Sequence, residues 1–325
     1  MNLPRRRFLQ LAAGAAALPA LSGFAWAQSY PGRPVRIIVG YPPGDSPDTV
    51  ARIMGQWLSD RLGQPFVIEN KPGAATNIAV QAAVDAAADG YTLLWVTTAN
   101  TSNVTFYDAL HFDFLRDVAP VAGLVRMPLV MVVNPSVPAR TVAEFITYAK
   151  SNPGKINMAS AGVGGTIHLA GELFKATAGV DLLHVPYRGS PPAISDMISG
   201  RVQVMFDAVP SSLPHIRSGA LRALAVTTLT RSDVLPDVPT VADTVAGYEA
   251  SAWIGATTRR GTPPGIVETL NREINAGLAN PGIKARLADL GMTPVPDTAA
   301  AFGSFLEAET AKWGKVIKFA GIKAE

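Results

Sequence analysis

The chain of 325 residues contains no cysteine. Disulfide stapling is excluded, as is a lipid anchor on a leader cysteine, so stability rests on core burial. Charged residues are few, 16% against 48% hydrophobic, the composition of a well-packed globular protein. Beyond residue 27 there is no basic run and no interleaving of basic with aromatic residues, which argues against nucleic acid as a partner. Histidine is scarce: His111, His168, His184 and His215 stand alone, without H-E-x-x-H or other paired ligand spacing. No metal and no cofactor is expected. The nucleophile motif G-x-S-x-G is also missing, since Met158-Ala159-Ser160-Ala161-Gly162 lacks its first glycine. A Ser160–His168–Asp207 hydrolase arrangement is the remaining catalytic option, and its spacing carries little specificity. The chain is read as a non-enzyme with no catalytic residues.

The N-terminus has the pattern of an export signal. Arg5-Arg6-Arg7 precedes Phe8-Leu9 and an Ala-rich apolar run through Leu21, and Ala25-Trp26-Ala27 supplies the cleavage site. Residues 1–27 are expected to be removed, leaving Gln28 first. Paired arginines before Phe-Leu resemble a twin-arginine signal, with the general secretory route as the alternative. The run is too short for an anchor, and Pro19 interrupts it. Removing residues 1–27 takes away three arginines, so Lys plus Arg falls from 28 to 25 against 25 Asp plus Glu. The mature net charge becomes zero, and the pI of about 9.2 belongs to the signal. The expected location is the periplasm.

Strand-like and helical runs alternate along the rest, an α/β pattern. Val35–Val39, Phe66–Glu69 and Tyr91–Thr97 read as strands of a first cycle. Ser46 is expected to cap a helix with Pro47 at its first position, apolar from Val50 to Leu62 at 3.6-residue spacing and stopped by Gly63. A second cycle starts near Leu129–Val133. It continues through a helix from about Thr141 to Lys150 and strands near Ile156–Ala159, Leu182–Val185, Val202–Phe206 and Leu221–Val226. The chain is mostly helical from Pro264. Two cycles joined by a return segment suggest two lobes with a cleft between them.

Two turns stand out. Ala161-Gly162-Val163-Gly164-Gly165-Thr166 opens an apolar helix, and Tyr41-Pro42-Pro43-Gly44-Asp45-Ser46-Pro47-Asp48 opens another. Each follows a strand, at the edge where open α/β sheets bind ligands. Backbone N–H groups and the helix dipole favour negative charge there. The first turn lacks the lysine of a P-loop and the acidic partner of a dinucleotide fingerprint. Facing one another, the two would clamp a small anion.

The combination resembles the Bug family, the TctC-like extracytoplasmic receptors of tripartite tricarboxylate transporters. The resemblance runs over almost the whole mature chain. It is carried by Tyr30–Arg36, Tyr41–Gly44 with Asp48, Leu62–Pro65, and Glu69–Ala74 with Asn77. Asp89–Leu94, Gly162–Leu169, His184–Gly189, Phe206-Asp207, Leu221–Val226, Leu235–Val241 and the end from Lys312 to Lys323 complete it. It implies a Venus-flytrap periplasmic binding protein with two α/β lobes, lobe 1 over 28–127 and 249–325 and lobe 2 over 128–248. It implies a monomer that captures a small carboxylate-bearing solute and hands it to membrane permease subunits, or presents it to a sensor. Carried over by position, lobe 1 contacts come from Tyr41, Pro43, Gly44, Asp45, Asp48, Thr76, Asn77, Thr97 and Thr98. Lobe 2 contacts come from Ser160, Gly162, Gly164, Gly165, Thr166, His168, Tyr187 and Asp207.

This chain departs from the family in two places. Gly44-Asp45-Ser46-Pro47 stands where two or three glycines usually follow Pro43, and Ala75-Thr76 stands where Gly-Gly usually precedes Asn77. A carboxylate at 45 opposes a second ligand anion in a desolvated cleft. A tricarboxylate is therefore not expected. A monocarboxylate is, with a cationic or hydrogen-bond-donating group meeting Asp45 or Asp207.

Overall fold

In the computed structural model, residues 30–107, 109–187 and 189–321 are described, so the expected signal and Arg188 lie outside. Val35–Val39 (β1), Phe66–Asn70 (β2) and Thr92–Thr97 (β3) form where the early apolar runs predict them. β1 lies between the other two and parallel to both. The helices Ser46–Leu62 (α1) and Asn77–Val84 (α2) make the crossovers. Asp45, not Ser46, is the N-cap of α1: the chain is extended at Asp45 (φ −69°, ψ 162°), and helical geometry begins one residue earlier than expected. Gly63 ends α1 in the left-handed conformation (φ 70°), as the sequence predicts.

Thr98–Phe106 (α3) and Phe114–Asp117 (α4) lead into Val118–Val133 (β4), a strand of 16 residues. Only Leu129–Val133 of it is legible as a strand. Pro120 and Gly123 read as breakers, yet they sit beside the two irregularities of its pairing, where bulges tolerate them.

Val142–Ser151 (α5), Asn157–Ser160 (β5), Thr166–Ala178 (α6), Leu183–Pro186 (β6), Ser190–Ile198 (α7), Val204–Ala208 (β7), Val209–Arg217 (α8) and Arg222–Val226 (β8) follow. Ser251–Arg259 (β9) then returns to the first three strands. Pro264–Ala279 (α9), Pro281–Asp289 (α10), Thr293–Pro294 (β10) and Ala299–Ala320 (α11) finish the chain.

The strand order is β2-β1-β3-β9-β4-β7-β5-β6, with β8 and β10 also paired to β4. The sheet is mixed. β9 runs antiparallel to β3 and β4, and β4 runs antiparallel to β7 and β8. β4 links two α/β halves. Its residues up to Pro128 pair with β9, and from Leu129 onward it lies between β7 and β8. The return passes alongside: Ala250 donates its N–H to Thr227, and Ser251 pairs with Pro128.

Each half has apolar clusters on both sheet faces, as strands covered on both sides require. α11 belongs to both halves. Phe302 and Leu306 pack with Leu94, Val96 and Trp253 of the first, whereas Trp313 and Ile317 pack with Phe145, Phe174 and Tyr248 of the second.

Candidate functional site

Four helices of the two halves begin at one cleft of about 310 Å³. Asp45, Ser46 and Pro47 bring the start of α1, and Thr97 and Thr98 that of α3. Gly165, Thr166 and Ile167 bring the start of α6, and Ala208 caps α8. The floor is apolar: Met127 and Leu129 from β4, Ala252, Trp253 and Ile254 from β9. Both strands contribute at the point where they pass between the halves.

Helix starts leave N–H groups without intrahelical partners. In α6 the first bond within the helix runs from Leu169 N–H to Gly165, and no acceptor among the described residues takes the N–H of Thr166 or Ile167. Among the described residues, the cleft wall contains no Lys, Arg or His. Among these residues an anion meets amide and hydroxyl donors rather than a cationic side chain.

Of the residues expected from sequence, Tyr41, Asp45, Thr97, Thr98, Gly162, Gly165 and Thr166 line the cleft. Tyr41 and Thr97 share a hydrogen bond between their hydroxyls, at 2.9 Å. Thr97 also caps α3, accepting from Ala99 N–H while Asn100 reaches back to its own N–H. Asp45 lines the wall, with its pKa raised by partial burial and by the neighbouring Asp48 carboxylate.

The remaining expected residues do not line the cleft. Pro43 and Gly44 are exposed on the turn outside the cleft lining, and Gly44 N–H donates to Asp48. Asp48 is 1% exposed and ion-paired to Arg52 at 2.8 Å. Burial pushes its carboxyl up, but hydrogen bonds from Arg52, Gly44 N–H and Asn70 outweigh that and hold it below the usual carboxylate range.

Thr76 accepts from Asn100, and Asn77 accepts from Asn103, so both are tied to α3. Gly164 turns at φ 74° and donates to His168 Nδ1. Tyr187 donates to Asp196. Asp207 is fully buried and accepts from Ser190 and Ser212, which opposes but does not cancel the upward push of burial on its pKa.

The Ser160–His168–Asp207 arrangement does not form: Ser160, itself fully buried, pairs with His184 instead. Ser46, Pro47 and Ala161, within the two recognised turns, and Ile167, one residue beyond the second, also line the cleft. The floor residues of β4 and β9 were missed. Nothing local in their sequence shows that these strands pair.

The model of the tripartite tricarboxylate transporter family receptor matches residues 50–322. BugT of Bordetella pertussis (strain Tohama I) is 37% identical over 302 residues, 91% of this chain and 92% of its own. A structure from R. palustris with adipate is similar at TM-score 0.78 and 36% identity, over 90% of this chain and 99% of that one. MatC from Rhodopseudomonas palustris, solved with bound malate, is similar at TM-score 0.74 and 31% identity, over 89% of this chain and all of its own, 100%. These relatives and the receptor-like cleft agree: the chain belongs to the tripartite tricarboxylate transporter receptor family and is a solute-binding receptor of the TctC/Bug type.

Proposed function

We propose that this receptor is exported to the periplasm, closes on a small carboxylate-bearing solute and delivers it to the membrane permease subunits of a tripartite tricarboxylate-type transporter. The observation that carries the reading is the start of α6, where Thr166 and Ile167 offer free N–H groups to a cleft with no cationic side chain among its described lining residues. Amides fixed at a helix start bind a carboxylate without the desolvation cost of a lysine or arginine. Relatives solved with adipate and malate support this chemistry.

Direct contacts come from Tyr41, Thr97, Thr98, Gly162, Gly165 and Thr166. Asp48, Thr76, Asn77, Ser160, Gly164, His168, Tyr187 and Asp207 shape those contacts from behind. Lobe 1 comprises 28–127 and 249–325, and lobe 2 comprises 128–248. Closure bends the chain at Pro128/Leu129 and Ala250/Ser251, where β4 and the segment entering β9 pass between the halves. Bound ligand favours the closed form, which the permease reads.

Calorimetry on ligand-stripped mature protein, paired with small-angle scattering, tests the reading. Binding of a small carboxylate with a reduced radius of gyration is expected. Binding confined to uncharged solutes, with no change in radius, would overturn it.

A further inference from the structure

The wall built by α1 and α3 differs chemically from the wall built by α6. On the α6 side the groups without partners are donors, the N–H groups of Thr166 and Ile167. On the other side the N–H groups of Ser46 and Asp48 likewise have no acceptor among the described residues, but the lining adds side-chain oxygens without partners. Asp45 occupies the N-cap of α1, where an aspartate ordinarily accepts from the second or third N–H of its helix. Here its side chain makes no capping bond. Asp48 has taken the Arg52 guanidinium, the Asn70 amide and the Gly44 N–H. Among the described lining residues Asp45 is the only carboxylate, and none of them is a cation. Also in the lining is Thr98, 1% exposed, whose Oγ1 has no hydrogen-bond partner among the described residues. A buried hydroxyl without a partner is destabilising, and a bound ligand relieves that cost.

We propose that the ligand is a small aminocarboxylate: its aminium group meets Asp45 and the Thr98 oxygen on one wall, its carboxylate meets the Gly162–Ile167 turn and helix start on the other, and its hydrocarbon covers the β4–β9 floor. The inference rests on the carboxylate-receptor reading and narrows it. A dicarboxylate would set its second anion against Asp45, and like charges at close range repel. An aminium group there turns the same carboxylate into an attractive partner and uses the orphaned hydroxyl. The apolar floor of Met127, Leu129, Trp253 and Ile254 gives the remainder of the ligand a methylene surface rather than further polar partners.

A series with a constant carbon count isolates the second charge. Ligand-stripped mature protein is titrated by calorimetry with 6-aminohexanoate, norleucine, hexanoate and adipate, and the titrations are repeated on Asp45→Asn. At least one of the two aminocarboxylates is expected to bind about tenfold or more tightly than adipate and hexanoate, a gap of about 1.4 kcal/mol. Asp45→Asn is expected to erase that preference and to strengthen adipate, with an unchanged melting temperature showing that the fold is intact. If adipate or hexanoate binds as tightly as both aminocarboxylates in the unmutated protein, the aminocarboxylate inference is overturned and the carboxylate reading stands. If none of the four binds, the carboxylate reading itself fails. A preference that survives Asp45→Asn removes Asp45 as the selecting residue and overturns the inference as stated.

Discussion

Ser160 Oγ lies 2.6 Å from His184 Nε2, on the hidden side of the turn that Gly162 and Gly165 present to the cleft. The same hydroxyl bonds to Gly162. The His184 ring stacks on His168 with centroids 3.6 Å apart, and His168 Nδ1 accepts from Gly164 N–H. The turn is therefore pinned at two of its glycines by a serine and two histidines that do not line the cleft. Their chemistry is that of a scaffold. A serine that is fully buried has no route to a substrate.

This pinning predicts a pH dependence of stability. Burial, reinforced by the nearby His168 and Lys175 and opposed by Glu172, lowers the His184 pKa from 6.5 to about 4. The unfolded chain keeps the higher value, so between the two it binds more protons than the native state, and native stability falls as pH drops. The loss runs from about pH 6.5 to about pH 4 and levels off below. Because the ring is partly solvated, screening cuts the contribution to about 1–2 kcal/mol. Urea unfolding across this range, in the natural protein and in His184→Gln, measures it. Parallel curves for the two proteins would show that His184 contributes nothing.

Gly164 carries two constraints at once. Its φ of 74° suits glycine, and a Cβ there would meet the Phe106 ring at 3.0 Å. Phe106 closes α3, whose first residues stand on the opposite wall of the cleft. Gly164→Ala is expected to cost about 2–3 kcal/mol, the sum of a left-handed alanine and overpacking. Gly179→Ala is the control, since Gly179 has a similar φ of 63° but open space around it. That variant is expected to lose only the conformational part, about 1–2 kcal/mol. Equal melting temperatures for the two variants would rule out the crowding. Ligand affinity should drop in Gly164→Ala alone.

The helix starts of α1 and α6 were legible because their signals are local. Glycines precede Thr166, Ser46-Pro47 follows a turn, and Gly63 and Gly179 end both helices in the left-handed conformation. The cleft floor was not legible. Trp253 and Met127 meet because β9 pairs antiparallel with β4 across more than a hundred residues of intervening chain, and no residue near either strand encodes that pairing. Asp48, His168 and Asp207 sit next to the true wall in sequence. Each turns inward because a hydrogen-bond partner claims it: Arg52, Gly164 N–H, and the Ser190 and Ser212 hydroxyls respectively. Sequence position placed them within one turn of the site, and competition for hydrogen bonds decided which way they face.

The unusual Ala75-Thr76 pair acquires a physical meaning. Ala74, Ala75 and Thr76 all have positive φ, 45°, 48° and 80°. Glycine adopts such angles without penalty, which suits the Gly-Gly pair that the family resemblance implies before Asn77. Here Asn103 holds the Ala75 carbonyl and Asn100 holds the Thr76 hydroxyl, so α3 keeps the loop in place against the strain. Ala75→Gly is expected to stabilise the protein by about 0.5–1 kcal/mol, the left-handed penalty of alanine less the greater chain entropy of glycine. Asn103→Ala should destabilise, because it releases the loop and strips the Ala75 carbonyl and Asn77 of a donor. A lower midpoint for Ala75→Gly in denaturant would contradict the account.

Glu309 links the cleft floor to the far core. Its Oε2 accepts from Trp253 Nε1 at 2.9 Å and from Trp313 Nε1 at 2.8 Å, while Lys312 pairs with its other oxygen. Trp253 lines the cleft from the first half, and Trp313 is fully buried in the core of the second. Glu309→Ala leaves two buried indole N–H groups without an acceptor, at about 1–3 kcal/mol each. The expected loss is therefore several times that of a surface substitution. Glu309→Gln keeps an oxygen that accepts from both indoles and gives up only the charge toward Lys312, which is partly exposed, so its cost should be about 1 kcal/mol. Denaturant midpoints rank the two variants. Tryptophan emission then separates the roles: Trp253 is close enough to a bound solute for its emission to respond on binding, and that response should survive in Glu309→Gln. Equal destabilisation by the two substitutions would mean that the charge, rather than the shared acceptor, holds the indoles in place.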